Sequence, residues 1–181
     1  MQKLSSRVEN GETYYYTGAY VTRFNCIINS KDLINWEFVA RPNFINQSKW
    51  ENATYVLNDK VYCFVRQENC SVGFLTYYDL VKEQWSTPVL ISDCQSRSDF
   101  FVYNDNLYLV HALQSRNHIG MVHIDTDTLK NSKVVFDANM NGWCFYPFTQ
   151  VYGDELYMSY TVDRQHIRLS KVNLTNYITA E

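Results

Sequence analysis

The chain has few features that would divide it, export it or load it with metal. Only three prolines occur in 181 residues, and no Gly/Ser-rich or low-complexity run separates one part from another, so one domain spanning 1–181 is expected. No apolar run approaches the roughly 18 residues of a membrane span, and no apolar stretch follows a basic start at Met1. Neither a membrane partner nor a signal peptide is expected, and a cytoplasmic setting is the default. A formal net charge of −3 with no basic stripe argues against nucleic acid as a partner. The five cysteines, Cys26, Cys63, Cys70, Cys94 and Cys144, are odd in number and show no metal-ligand spacing. The four histidines form no His-x-x-x-His pattern. No metal and no cofactor are expected, and the thiols read as reduced and largely buried. A helical period is absent throughout.

What is present is a phrase in three copies: Val56-Leu57-Asn58-Asp59-Lys60-Val61-Tyr62, Val102-Tyr103-Asn104-Asp105-Asn106-Leu107-Tyr108 and Val151-Tyr152-Gly153-Asp154-Glu155-Leu156-Tyr157. Asn, Asp and Gly accept the positive φ of a tight hairpin turn, and the flanking apolar-aromatic alternation has the period of a β-strand. The aspartates recur 46 and 49 residues apart, a period that marks β-propeller blades. Each copy continues into further strand-like segments, and a degenerate copy precedes them. The expected fold is all-β: a partial propeller of about three and a half to four four-stranded blades, over residues of about 11–40, 50–91, 97–138 and 144–178. Fifteen tyrosines and ten phenylalanines suit pleated, half-buried surfaces.

So few blades leave sheet faces and an edge without cover, a liability that propellers remove by closing. The expected state is therefore a homo-oligomer, or a piece lacking the N-terminal half of its propeller.

Two resemblances follow from particular residues. Ser30-Lys31-Asp32-Leu33-Ile34-Asn35-Trp36 resembles the Asp-box of sialidases, Ser-x-Asp-x-Gly-x-Thr-Trp, without its Gly and one residue short. It also resembles the Ser-x-Asp-Leu-x-x-Trp turn of five-bladed glycosidases of the arabinanase and fructosidase type. In either case its role is to stabilise the fold: the carboxylate caps turn amides and the indole packs across strands.

The second is the order Glu51, Arg66, Arg116, Tyr146, one member per expected blade position. It is similar to the second half of sialidases with BNR/Asp-box repeats. That resemblance implies a glycoside hydrolase, or its C-terminal portion, acting on or binding a carboxylated sugar. Tyr146 would be the nucleophile, Glu51 its base, and Arg66 and Arg116 two arms of a carboxylate clamp, because a planar guanidinium grips a carboxylate bidentately. Arg97 and Asp99 are further polar groups near the same face. The family's remaining arginine and its acid/base aspartate have no counterpart here, since Arg7, Arg23 and Asp32 stand in other contexts. A non-catalytic propeller that binds glycan or protein, and a five-bladed glycosidase relative using a carboxylate pair, are the alternatives.

Overall fold

A computed structural model describes residues 2–21, 24–42, 49–67, 71–139 and 142–178. The structure is all-β, as the repeat predicts, and the chain divides into two compact units, Met1–Ile91 and Ser92–Glu181.

The first unit holds two antiparallel sheets. One runs in order β1 (Ser5–Glu9), β2 (Glu12–Val21), β3 (Phe24–Ser30) and β4 (Glu37–Ala40). The other runs β5 (Lys49–Leu57), β6 (Lys60–Gln67), β7 (Val72–Asp79) and β8 (Gln84–Trp85), with β9 (Val89–Ser92) also pairing β7. The second unit holds β10 (Gln95–Tyr103), β11 (Asn106–Ala112), β12 (His118–Ile124) and β13 (Asn131–Asn139) in one sheet. A sheet of three follows, β14 (Cys144–Tyr152), β15 (Glu155–Val162) and β16 (His166–Asn173), closed by a 3₁₀ turn at Leu174–Asn176. We call these sheets blades one to four.

β1 is a strand that the three-copy phrase does not reveal. Its hairpin turns on Asn10-Gly11, with Glu9 opposite Glu12, and both turn residues take positive φ, 51° and 80°. Asn104 and Asp105 do the same, at 49° and 60°, the geometry that matches strand twist in a two-residue hairpin. Asn58 and Gly153 supply a left-handed first turn residue in the remaining two blades.

The Ser30–Trp36 turn has the capping role expected of it. Asp32 Oδ1 accepts hydrogen bonds from the amides of Ile34 (2.9 Å) and Asn35 (2.7 Å), and Ser30 Oγ accepts one from that of Leu33 (2.9 Å). The turn is itself a repeated device. Asp79 Oδ1 accepts from the amides of Val81 and Lys82, and Asp125 Oδ1 from those of Asp127 and Thr128. In the fourth blade Asn173 Oδ1 accepts from the Thr175 amide. Each of these residues closes the third strand of its blade. Backbone amides pointing at the three aspartates hold their carboxyls below the usual carboxylate range. The expectation for Trp36 needs correction: the indole is 38% exposed, so it does not serve as a buried pin across the strands.

Within each unit the blades stack face to face. In the first, Val56 and Val61 of blade two pack with Tyr16 and Ile27 of blade one, and the Val56 amide donates to Ser5 Oγ at 2.8 Å. In the second, Leu156, Met158, Tyr160 and Val162 of blade four pack on Phe101, Tyr108, Val110, Ile119 and Met121 of blade three. Each such side chain contributes about 1.5–3 kcal/mol by leaving water. Buried Asp99 accepts from the Thr149 amide (2.7 Å) and Thr149 Oγ1 (2.6 Å), tying neighbouring inner strands together. Asp99 therefore fastens two blades. Cys26, Cys63, Cys94 and Cys144 are free and buried, as expected; burial pushes the Cys63 thiol up to about 12 and that of Cys144 to about 11. Cys70 lies outside the described residues.

Candidate functional site

In three blades the first strand opens on a β-bulge. On β5 the register shifts between Lys49 and Asn52, so that Trp50 and Glu51 together oppose Arg66. On β10 it shifts between Gln95 and Asp99, so that Ser96, Arg97 and Ser98 oppose His111. On β14 it shifts between Phe145 and Phe148, so that Tyr146 and Pro147 oppose Tyr160. A bulge leaves a residue outside the ladder and re-aims its side chain, which is why bulges gather at the rims of β-structures and beside active sites.

The bulges carry Glu51, Arg97 and Tyr146, each eight residues before its hairpin aspartate, Asp59, Asp105 or Asp154. The sequence singles out Glu51 and Tyr146 and names Arg97 as a further polar group; the same count from the turn places Arg97 with them.

Glu51 is buried, and its Oε2 accepts from Arg66 at 3.1 Å. The sequence reading gives these two residues separate roles, a base and an arm of a carboxylate clamp; in the structure they pair with each other. Arg66 Nε is also buried and has no hydrogen-bond partner among the described residues; the same is true of Ser98 Oγ in the next bulge. A buried donor without a partner costs about 1–3 kcal/mol, and a bound water or ligand would recover it.

In the second unit Tyr146 is 41% exposed and left-handed, with φ of 56°. Its amide donates to Ser96 Oγ at 3.1 Å. Ser96 is likewise left-handed at 64°, so the two bulges lock each other. The Arg97 guanidinium lies 5.6 Å from the centre of the Tyr146 ring. The Arg116 guanidinium sits 4.7 Å from the ring of Phe145 and donates to Gln95 Oε1 at 3.0 Å. Arg164 reaches the same ring at 5.0 Å. Three guanidinium groups therefore surround two adjacent aromatic rings whose centres are 6.1 Å apart. Neither Arg97 nor Arg164 has a carboxylate within 4.0 Å among the described residues. Arg164 is a member that the sequence reading leaves out.

Beneath the second bulge, His111 is fully enclosed. Burial pushes its imidazole below the ordinary histidine value, while the Ala112 carbonyl, 3.1 Å from Nδ1, acts in the other direction. No group of three or more His, Cys, Asp or Glu side chains among the described residues is placed to hold a metal ion.

Glu51 and Arg66 belong to the first unit, Arg116 and Tyr146 to the second.

No family model and no curated protein matches the chain. Solved structures do match it. The GH43B protein of a Bacteroides ovatus xyloglucan locus shares 11% identity at a TM-score of 0.67, over 95% of this chain and 38% of its own. The GH43 protein BlXynB of Bacillus licheniformis shares 14% at 0.66, over 95% and 39%. An α-L-arabinofuranosidase of Clostridium thermocellum shares 17% at 0.66, over 94% and 68%. The chain thus spans about two-fifths of the first two. At these identities the likeness establishes the fold, a β-propeller of the kind found in glycoside hydrolases. These neighbours are five-bladed GH43 glycoside hydrolases and not sialidases, so the sialidase resemblance is not confirmed and the five-bladed alternative is the better supported.

Proposed function

We propose that the protein is a carbohydrate-binding propeller related to the five-bladed glycosidases, and that it takes its glycan at the bulged openings of the blades' first strands. The observation that carries this reading is the recurrence of chemically capable side chains, Glu51, Arg97 and Tyr146, at one bulged position of successive repeats. Aromatic faces beside polar groups are what sugars need, and in the second unit Ser98 Oγ, without a partner among the described residues, offers a donor to hydroxyl groups. Arg97 and Arg164, which have no carboxylate within 4.0 Å among the described residues, favour a sugar bearing a carboxylate. Hydrolysis by the five-bladed route requires two carboxylates. Among the bulge residues Glu51, in the first unit, is the one carboxylate.

One observation favours a second reading, sialidase-type chemistry with Tyr146 as nucleophile. That residue is exposed, held in a rare backbone conformation and faced by the Arg97 guanidinium, as a tyrosine attacking beside a bound carboxylate would be.

Calorimetric titration distinguishes these readings. Galacturonic or sialic acid should bind the native protein, and arabino- and xylo-oligosaccharides should bind more weakly. Arg97→Ala should weaken the acidic ligands at least tenfold while leaving the thermal midpoint within about 2 °C, since surface changes stay within about 0.5 kcal/mol. Selective binding of sialic acid would move the weight to the second reading; equal affinity for neutral and acidic sugars would remove the carboxylate preference.

A further inference from the structure

The loops that follow the second strands of blades three and four converge on one place. Arg116 and Arg164 each stand two residues before the third strand of their blade, which opens at His118 in β12 and at His166 in β16. Both take the same left-handed backbone, with φ of 58°, a conformation uncommon for a residue that carries a side chain. Both loops are tied by hydrogen bonds to the opening of β14. The Cys144 amide donates to the Arg116 carbonyl, the Asp163 amide to the Trp143 carbonyl at 2.8 Å, and the Trp143 amide to Asp163 Oδ1 at 2.7 Å.

Equivalent loops of neighbouring blades thus deliver two guanidinium groups to the buried ring of Phe145, at 4.7 and 5.0 Å. Arg97 stands at the next ring, that of Tyr146. The result is a cationic group at each of two rings whose centres are 6.1 Å apart. Like charges gathered in this way repel, and cation–π contacts offset only part of the repulsion. Asp163, the acid beside Arg164 in sequence, turns Oδ1 to the Trp143 amide, and Arg116 donates to a neutral acceptor, Gln95 Oε1. One carboxylate bound at Arg97 leaves the charge of Arg164 still to be matched.

We infer that the ligand of this site is a chain of uronic acids, held through the carboxylates of two neighbouring sugars, one at Arg97 beside Tyr146 and the next at Arg116 and Arg164 around Phe145. This rests on the glycan reading proposed above and adds to it the number and placement of the charges. The planar guanidinium fork favours a planar carboxylate at both positions, and loops anchored at β14 hold the second position in place before the ligand arrives.

Calorimetric titration of the full chain with galacturonic acid, digalacturonic acid and the methyl diester of digalacturonic acid tests this. Digalacturonic acid should bind at least about tenfold more tightly than galacturonic acid, the gain from one further charge-assisted contact. The diester has the same length without the charge and should show no such gain. Arg97→Gln and Arg164→Gln, each checked for near-native circular dichroism, should bring the ratio between the two acids below about threefold. Arg164→Lys keeps the charge and loses the fork, so its ratio should fall between those of Arg164→Gln and the native protein. The diester comparison uses the native protein and decides the matter even where a variant fails to fold. Equal affinity for the two acids, a diester as tight as digalacturonic acid, or an unchanged ratio in Arg164→Gln would overturn the inference and leave the glycan reading standing. Failure to bind any of the three sugars would remove the glycan reading and the inference with it.

Discussion

At the scale of the residue, Tyr146 is the most informative position in the chain. A left-handed aromatic residue is strained by about 1–2 kcal/mol, and the strain is held by the Ser96 hydroxyl accepting from its amide. Asparagine tolerates this conformation and keeps the amide. Tyr146→Asn is therefore expected to leave the thermal midpoint unchanged or a few degrees higher while abolishing the binding of acidic sugars. A melt lowered by more than about 4 °C, roughly 1 kcal/mol or more for a chain of this size, would make the tyrosine a packing residue. The sequence singles out Tyr146, Glu51, Arg66 and Arg116 through their order along the repeat. It does not display the bulges, because the extra residue of a bulge looks like any other residue of a strand. Only the common distance to the hairpin aspartates gives the position away, and that count also delivers Arg97. Arg164 stays hidden because its contact with Phe145 depends on a loop closing back over another strand.

At the scale of the element, the aspartate turns explain how strands three and four are joined. Asp32, Asp79 and Asp125 have carboxyls held below their ordinary value by turn amides. A depressed folded value contributes stability above the unfolded value, about 3.9, and loses it as pH falls through the folded one. The triple variant Asp32→Asn, Asp79→Asn, Asp125→Asn keeps an acceptor oxygen in each turn and loses the charge. Its urea midpoint should fall less between pH 7 and pH 3 than that of the native protein. Equal falls would show that the carboxylates are not what the turns depend on. The first of these turns was legible through its likeness to a known motif; the other two lack the flanking serine, the Asp79 turn meets its tryptophan, Trp85, two residues later than the first turn does and the Asp125 turn has none, so their shared place after a third strand is what reveals them. Likewise β1 announces itself only by Asn10-Gly11, since Ser5–Glu9 alternates too weakly to read as a strand.

At the scale of the whole molecule, the repeat period gave away the fold class because a blade cannot bury its faces alone, which forces every copy to repeat the same apolar positions. Function is less legible for the same reason: the repeated residues describe stacking, and the residues that differ between copies, Glu51, Arg97 and Tyr146, are the ones left for chemistry. The central claim is that the bulged positions of the second unit, Arg97 and Tyr146, hold a sugar. A crystal soaked in galacturonic acid tests it most directly. The sugar is predicted to lie against the bulges, its carboxylate within hydrogen-bond reach of Arg97, Arg116 or Arg164. A sugar bound only at the turns of Asp32, Asp79 and Asp125, with the bulges bare, would contradict the account.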